Sequence, residues 1–393
     1  MTSRAPVPPE RRGHDARVGP RVPVLLGAGV LGLALLLAVF VAITGDHVDF
    51  DVYVRAGERW LCGLDPYAVR AELPFTYPPV AVPFSALLAL APAVGLAVLS
   101  LLTVLAAGGG TAATLVPSTR TAGPRTTTGI VLLAVGVAVV SEPVLRGLSL
   151  GQANGLVVGL VLLDLLVVPL RWRGWLTGIA AGTKLTPLVF VLVPAFRRQW
   201  STVARVVGGF AATVVLGALA LPSGSGLYWG GLVADTDRVG GLAFVDNQSL
   251  RGVAERLAPE HATAWWLLAS TLVGVLGAVA LHRRARQPVI EGLVVAGLVG
   301  LLASPISWSH HWLLLPAAAL LCARERRRWV AGGTLLVCLA APHWYLRAAD
   351  LPAPLSVLVD NSMILAGVLC LAALALSPRP RAEDGVSDSA GPR

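Results

Sequence analysis

Residues 22–43 read VPVLLGAGVLGLALLLAVFVAI, a run with no charged side chain. A helix that crosses a bilayer needs about 20 consecutive apolar residues, so this run predicts a membrane span. The segment before it, MTSRAPVPPERRGHDARVGPR, is polar and rich in Pro and Arg, and a disordered tail is expected over 1–20. A secretory signal would carry an apolar core of about 7–15 residues and a small-residue cleavage site. The run at 22–43 is longer and lacks a convincing site, so it is expected to stay as the first span.

Working outward, the same pattern recurs. The 393-residue chain is 55% hydrophobic and 13% charged, with a mean hydropathy of +0.72. Soluble domains carry about 25% charged residues, and a soluble fold of this composition could not cover itself with polar surface. Further apolar runs fall near 80–116, 130–140, 156–170, 175–196, 203–221, 265–281, 290–302, 312–322, 329–341 and 363–376. Together they predict an all-α polytopic membrane fold of about 10–12 transmembrane helices, some short or re-entrant. The run at 80–116 is too long for one ordinary span and predicts a re-entrant or interfacial lead-in followed by a crossing. The segment 175–196 has basic residues at both ends and predicts a hairpin of two short spans broken near Lys184. One membrane domain is expected over 21–377, with a second disordered tail at 378–393.

The net charge of +9 does not point to nucleic acid, because the arginines sit in short connectors such as Arg171 with Arg173, Arg197 with Arg198, and 324–328. Basic connectors mark the cytoplasmic side. An even number of crossings then places both termini in the cytoplasm, with most acids in loops on the outer side. Cys322, Cys338 and Cys370 fall in apolar runs and Cys62 in a loop, which predicts packing thiols without a disulfide framework. No zinc-ligand spacing is present and no metal ligand is assigned.

The outward loops hold the distinctive residues. The first reads His47-Val-Asp49-Phe-Asp51-Val-Tyr53-Val-Arg55 and continues to Gly63-Leu-Asp65-Pro-Tyr67 and Phe75-Thr-Tyr77-Pro-Pro79. Acids beside aromatic rings suit a sugar site, since a carboxylate can accept a hydroxyl proton; a hydrated interface explains them equally well. The second holds Ser141-Glu-Pro143 and Gly151-Gln152-Ala-Asn154-Gly155. These amides can bind a polar ligand, or cap a helix or form a turn. In the third, Asp246-Asn247-Gln248-Ser-Leu-Arg251, Arg251 lies against the charge bias and suits a phosphate or a neighbouring acid. The fourth is Ser304-Pro-Ile-Ser-Trp308-Ser-His310-His311-Trp312, whose histidines can bind phosphate, donate a proton, ligate a metal or form a buried cap. Lys184, the sole lysine, lies in an apolar run and must be paired or face a polar cavity. Its place in the run points to the cytoplasmic half, and to a structural or lipid-phosphate role. Asp164 and Glu291 are its possible intramembrane partners.

Taken in order, Asp-Phe-Asp-Val-Tyr, Gly-Leu-Asp-Pro-Tyr, Phe-Thr-Tyr-Pro-Pro, Gly-Gln-Ala-Asn-Gly, Gly-Thr-Lys-Leu-Thr-Pro, Asn-Gln-Ser-Leu-Arg-Gly and Ser-Trp-Ser-His-His-Trp resemble glycosyltransferase family 87, across about residues 20–376. The resemblance implies a GT-C membrane enzyme that uses polyprenyl-phosphate-mannose to build alpha-1,2 linkages on lipid-linked glycans at the outer face of the plasma membrane. It maps the essential acid onto Asp49, with Asp51 competing, and the histidine motif onto His310 and His311. Arg251 and one of these histidines are expected at the donor phosphate. Tyr53, Tyr77, Gln152, Asn154, Asn247, Gln248 and Trp308 are expected around the sugar and acceptor. No nucleotide-binding loop is needed, because an outward site takes its sugar from a lipid carrier. The resemblance leaves divalent-metal dependence open. The rival readings are transfer of another lipid-linked sugar, such as arabinofuranose, and a transporter with a Lys184–Asp164–Glu291 relay.

Overall fold

The computed structural model describes residues 22–68, 73–119, 123–346 and 351–377. The two expected tails, 1–20 and 378–393, lie outside these residues. The described chain is all-α, and its one β feature is an isolated antiparallel bridge between Asn247 and Trp308. In chain order the first helices are α1 (Val22–Thr44), α2 (Val48–Leu61), α3 (Ala81–Leu90), α4 (Pro92–Thr119), α5 (Pro124–Val139), α6 (Glu142–Leu150), α7 (Asn154–Leu162), α8 (Trp175–Thr183) and α9 (Leu192–Phe196). They are followed by α10 (Trp200–Ala220), α11 (Pro222–Gly230), α12 (Leu250–Leu257), α13 (Ala262–Arg284), α14 (Val289–Ala303) and α15 (Leu315–Arg324). The last are α16 (Arg328–Ala340), α17 (Pro342–Tyr345), α18 (Ala353–Asp360) and α19 (Ser362–Leu376).

Among the described residues, four helices are long and apolar enough to cross a membrane: α1, α4, α10 and the helix ending at Arg284. The count reaches 6 if the bent pairs α5–α6 and α18–α19 are each one span. The rest of the expected ten to twelve segments fold as shorter apolar helices. They include α14, whose 15 residues rise only about 22 Å at 1.5 Å each. The long helices lie at the periphery and keep large side chains such as Leu25, Leu36, Phe40, Leu101, Leu219 and Leu272 exposed, as lipid-facing helices do. By contrast, α14 is buried on every side and forms the centre of the main core with Trp312, Met363 and Leu371.

The expected break of the 80–116 run is present, with α3 ending at Ala91 before α4 begins. The 175–196 segment breaks at Lys184, whose extended backbone (φ −151°, ψ 123°) ends α8 ahead of a 3-10 turn over Thr186–Val191. Its two ends return to one side. Arg205 at the start of α10 donates to the Leu170 and Arg173 carbonyls, and Arg173 and Arg197 are electrostatic neighbours. Neither arm is a span, since the 9 residues of α8 rise only about 14 Å. The expectation of two crossings is therefore corrected to a re-entrant hairpin.

Asp164 and Glu291 have other partners than Lys184. Asp164 is fully buried and accepts from the backbone N–H groups of Gly174 and Thr177 and from the Thr177 hydroxyl, which caps the N-terminus of α8. Glu291 opens α14 and meets Arg284 at 2.6 Å and Arg324 at 3.2 Å. Glu291 stands at the start of α14 and these arginines close α13 and α15, so all three complement their helix dipoles. The proposed three-residue relay is not assembled.

Breaking a buried ion pair leaves an uncompensated charge. Glu291→Ala is expected to destabilise the fold by on the order of 3 kcal/mol, measured by thermal unfolding in detergent. The exposed Asp51→Asn serves as a control that leaves the midpoint unchanged.

Candidate active site

Helix α2 is amphipathic. Its buried face carries Phe50, Val52, Tyr53, Ala56 and Gly57. Asp49 and Asp51 are two residues apart, about 200° around the helix axis. Asp49 is therefore turned to a cavity of about 380 Å³, while Asp51 is exposed and lies outside it. Of the two competing acids, Asp49 alone lines this cavity.

The Gly151–Gly155 motif joins α2 to the rest of the site. Gly151 closes α6 in the left-handed region (φ 67°), and a Cβ there would stand 2.6 Å from Phe50 Cβ. The turn aims Gln152 at α2, where its Nε2 donates to Asp49 Oδ2 at 2.6 Å. Gln152 Oε1 accepts from the Tyr53 hydroxyl at 3.1 Å, which meets the Tyr77 hydroxyl at 2.9 Å. Burial raises the pKa of Asp49 above the usual carboxylate value, against the Gln152 hydrogen bond and the charges of Lys184 and Arg146. Its Oδ1 has no hydrogen-bond partner among the described residues.

Asn154, at the start of α7, organises a second group. Its Oδ1 accepts from Lys184 Nζ at 2.6 Å, and its Nδ2 donates to the His310 carbonyl at 3.2 Å. Lys184 Nζ also lies 3.0 Å from His311 Nε2 and 5.5 Å from the Tyr77 ring centroid. Burial holds the imidazole of His311 neutral, well below the usual histidine range, so its Nε2 accepts from the ammonium. The hairpin tip carries Lys184 to the cavity that Asp49 also lines.

Asp49, Tyr77, Gln152, Lys184, Trp308 and His311 line this one cavity. A narrower apolar pocket adjoins it, sharing Lys184, Thr186 and His311 and walled by Val157, Phe190, Gly297 and Leu314. Tyr53 stands behind the lining of the larger cavity, while Asn154 lines the adjoining pocket and holds Lys184.

Other expected residues lie elsewhere. Arg251 forms an ion pair with Glu255 at 2.6 Å, donates to Thr263 and stacks on Trp266, outside the cavity. Asn247 and Gln248 are fully buried and occupied by backbone. Asn247 bonds the Leu242 and Pro305 carbonyls and the Ser307 N–H, while Gln248 bonds the Val245 and Asp360 carbonyls and the Met363 N–H. They fasten the loop rather than face the cavity. His310 is buried beside His311, does not line the cavity, and neither ring nitrogen has a partner.

Asp235 and Arg238 also line the cavity. Arg238 shares the signal that singled out Arg251, a basic residue in a long polar loop, but no motif surrounds it. A second cluster, Glu142, Asp246 and His343, joins positions too far apart in sequence to suggest one another.

The model of glycosyltransferase family 87 matches residues 75–305. The chain is 32% identical over 350 residues to the polyprenol-phosphate-mannose-dependent alpha-(1-2)-phosphatidylinositol mannoside mannosyltransferase of Mycobacterium tuberculosis, covering 79% of this chain and 81% of the relative. The protein of the same description from Mycolicibacterium smegmatis is 35% identical, with 72% of each chain covered. A phosphatidylinositol pentamannoside mannosyltransferase from Mycolicibacterium smegmatis is 32% identical, covering 86% of this chain and 85% of the relative. This chain belongs to glycosyltransferase family 87 and is a multi-pass membrane glycosyltransferase.

Proposed function

We propose that the protein transfers mannose from polyprenyl-phosphate-mannose to a lipid-linked glycan, forming an alpha-1,2 linkage with inversion. The observation that carries this reading is a single cavity with Asp49 on one wall and the Lys184–His311 pair on another. The donor and acceptor classes rest on the descriptions of the relatives. The clustering of arginines in alternate connectors supports an outward-facing site and cytoplasmic termini.

In this reading the acceptor hydroxyl gives its proton to Asp49 as its oxygen attacks the anomeric carbon. The bond from that carbon to the phosphate oxygen breaks on the opposite face, and its electron pair leaves with the polyprenyl phosphate. Lys184 stabilises the departing phosphate, with His311 and Asn154 fixing the ammonium where the negative charge grows. Arg238 is a second cation for the same group. Tyr77 and Trp308 offer aromatic faces to the sugar, and Gln152 fixes the carboxylate of Asp49. The adjoining apolar pocket suits the first isoprene units, because it reaches Lys184 along an oily wall. Arg251 has no part in this mechanism.

A membrane-fraction assay with radiolabelled polyprenyl-phosphate-mannose and native lipid acceptors, followed by linkage analysis, tests the reading. Asp49→Asn is expected to lower turnover by at least about 10²-fold with normal expression, and Asp51→Asn to leave it near wild type. Near-normal turnover in Asp49→Asn removes Asp49 as the base.

Loss of one charge-stabilising donor costs about 10²–10³-fold in rate. Lys184→Gln should show a loss of that size and Arg251→Ala a change of less than about threefold; the reverse order returns the phosphate role to Arg251.

The pH profile gives a separate check. Asp49 must be ionised to act, so kcat/KM should fall as pH drops through its raised pKa, above the usual value of about 4. The Gln152 hydrogen bond favours the ionised form, so Gln152→Ala should move this acid limb to still higher pH. A limb that stays in place or moves down separates the titration from Asp49.

A further inference from the structure

Beyond the cavity, three segments far apart in sequence bring one ligand-type side chain each to a common point. Glu142 is the first residue of α6, Asp246 lies in the loop before α12, and His343 lies in α17. One ligand atom from each lies within 4.8 Å of the others. None of the three lines the cavity described above.

The hydrogen bonding around this point is incomplete. Glu142 Oε1 accepts from the Ser309 hydroxyl at 2.6 Å and from the Trp344 indole N–H at 3.2 Å, while its buried Oε2 has no partner. Asp246 Oδ1 accepts from the Ser309 backbone N–H at 3.2 Å. His343 is 0% exposed, and neither ring nitrogen has a partner. A buried polar group without a partner is costly, and here the Glu142 Oε2 and both His343 nitrogens lack one.

We propose that Glu142, Asp246 and His343 form a site for one divalent transition-metal ion. Two carboxylates with one imidazole suit zinc or manganese better than magnesium or calcium, which favour all-oxygen sets. The ion would satisfy the free Glu142 oxygen and one His343 nitrogen together. Ser309 and Trp344, which hold Glu142 Oε1, would orient the carboxylate from outside the ligand set. Arg146, stacked on Trp344 at 5.1 Å, balances part of the acidic charge without closing the site. The ion would have a positioning role, tying α6, the 246 loop and α17 around Ser309. That residue directly precedes His310 and His311 and follows the cavity residue Trp308.

The test uses the full chain, purified without a histidine tag into lipid nanodiscs, incubated with zinc or manganese chloride and passed through a desalting column. Elemental analysis is expected to find about one ion per chain. Chelation should remove it and lower the thermal midpoint, and adding the same metal should restore both. Glu142→Gln and His343→Gln should each weaken metal affinity by at least about tenfold, and chelation should no longer move their midpoints. Asp246→Asn replaces either variant if it does not fold. Wild-type protein that keeps less than about a tenth of an equivalent and shows no metal-dependent midpoint would overturn the site. Equal metal retention by wild type and folded variants would overturn it as well, by placing the ion elsewhere.

Discussion

A charged side chain within a membrane domain must find polar partners, and Lys184 finds them in Asn154 and His311. Much of the site is arranged around that requirement. Asn154 opens α7, and the same short motif supplies Gln152 to Asp49, so one turn positions the groups at both walls of the cavity. The hairpin tip, the α6–α7 turn and the 304–311 loop therefore meet around a cation instead of a purely apolar contact. The close approach of Gly155 to Thr103 anchors this turn on α4, because a side chain there would collide with the α4 backbone. The electrostatic centre and the packing of the small residues are one construction.

The membrane class, the all-α fold and the break at Lys184 were legible because apolar runs and stranded charges carry direct energetic meaning. Helical periodicity could have separated Asp49 from Asp51, since two residues along a helix reverse its face, but only once α2 was known to start before Asp49. The third motif misled. Asn247 and Gln248 have the chemistry of ligand-binding amides, yet a long loop packed among helices has its own backbone groups to satisfy, and these side chains serve them. Arg251 was misleading for a related reason, because Glu255 one helical turn later supplies its counter-charge. The depth of Lys184 could not be read from its place in the run, because a re-entrant segment does not descend steadily from one face to the other.

The intramembrane acids also bear on the choice between catalysis and transport. Asp164 serves as a helix cap, and Glu291 is held by two arginines at the ends of neighbouring helices. Groups committed to static partners are poorly suited to passing protons or cations along a path. Asp49, Lys184 and His311 gather around one cavity, which suits a reaction at a fixed place more than passage through the fold.

Helix α8 has a further consequence as a measured spacer. Its lower end is fixed where Asp164 gathers the Gly174 and Thr177 amides, and its upper end delivers the Lys184 ammonium. One residue inserted between them would lift the tip by about 1.5 Å and swing it through about 100°, away from both Asn154 and His311. Side chains along α8 can drift where they have room, though not at Gly178 or Gly182, where a Cβ would collide with Val206 and Thr213 of α10. The number of residues from 174 to 184 cannot drift, so the segment should be far less tolerant of insertion and deletion than of substitution.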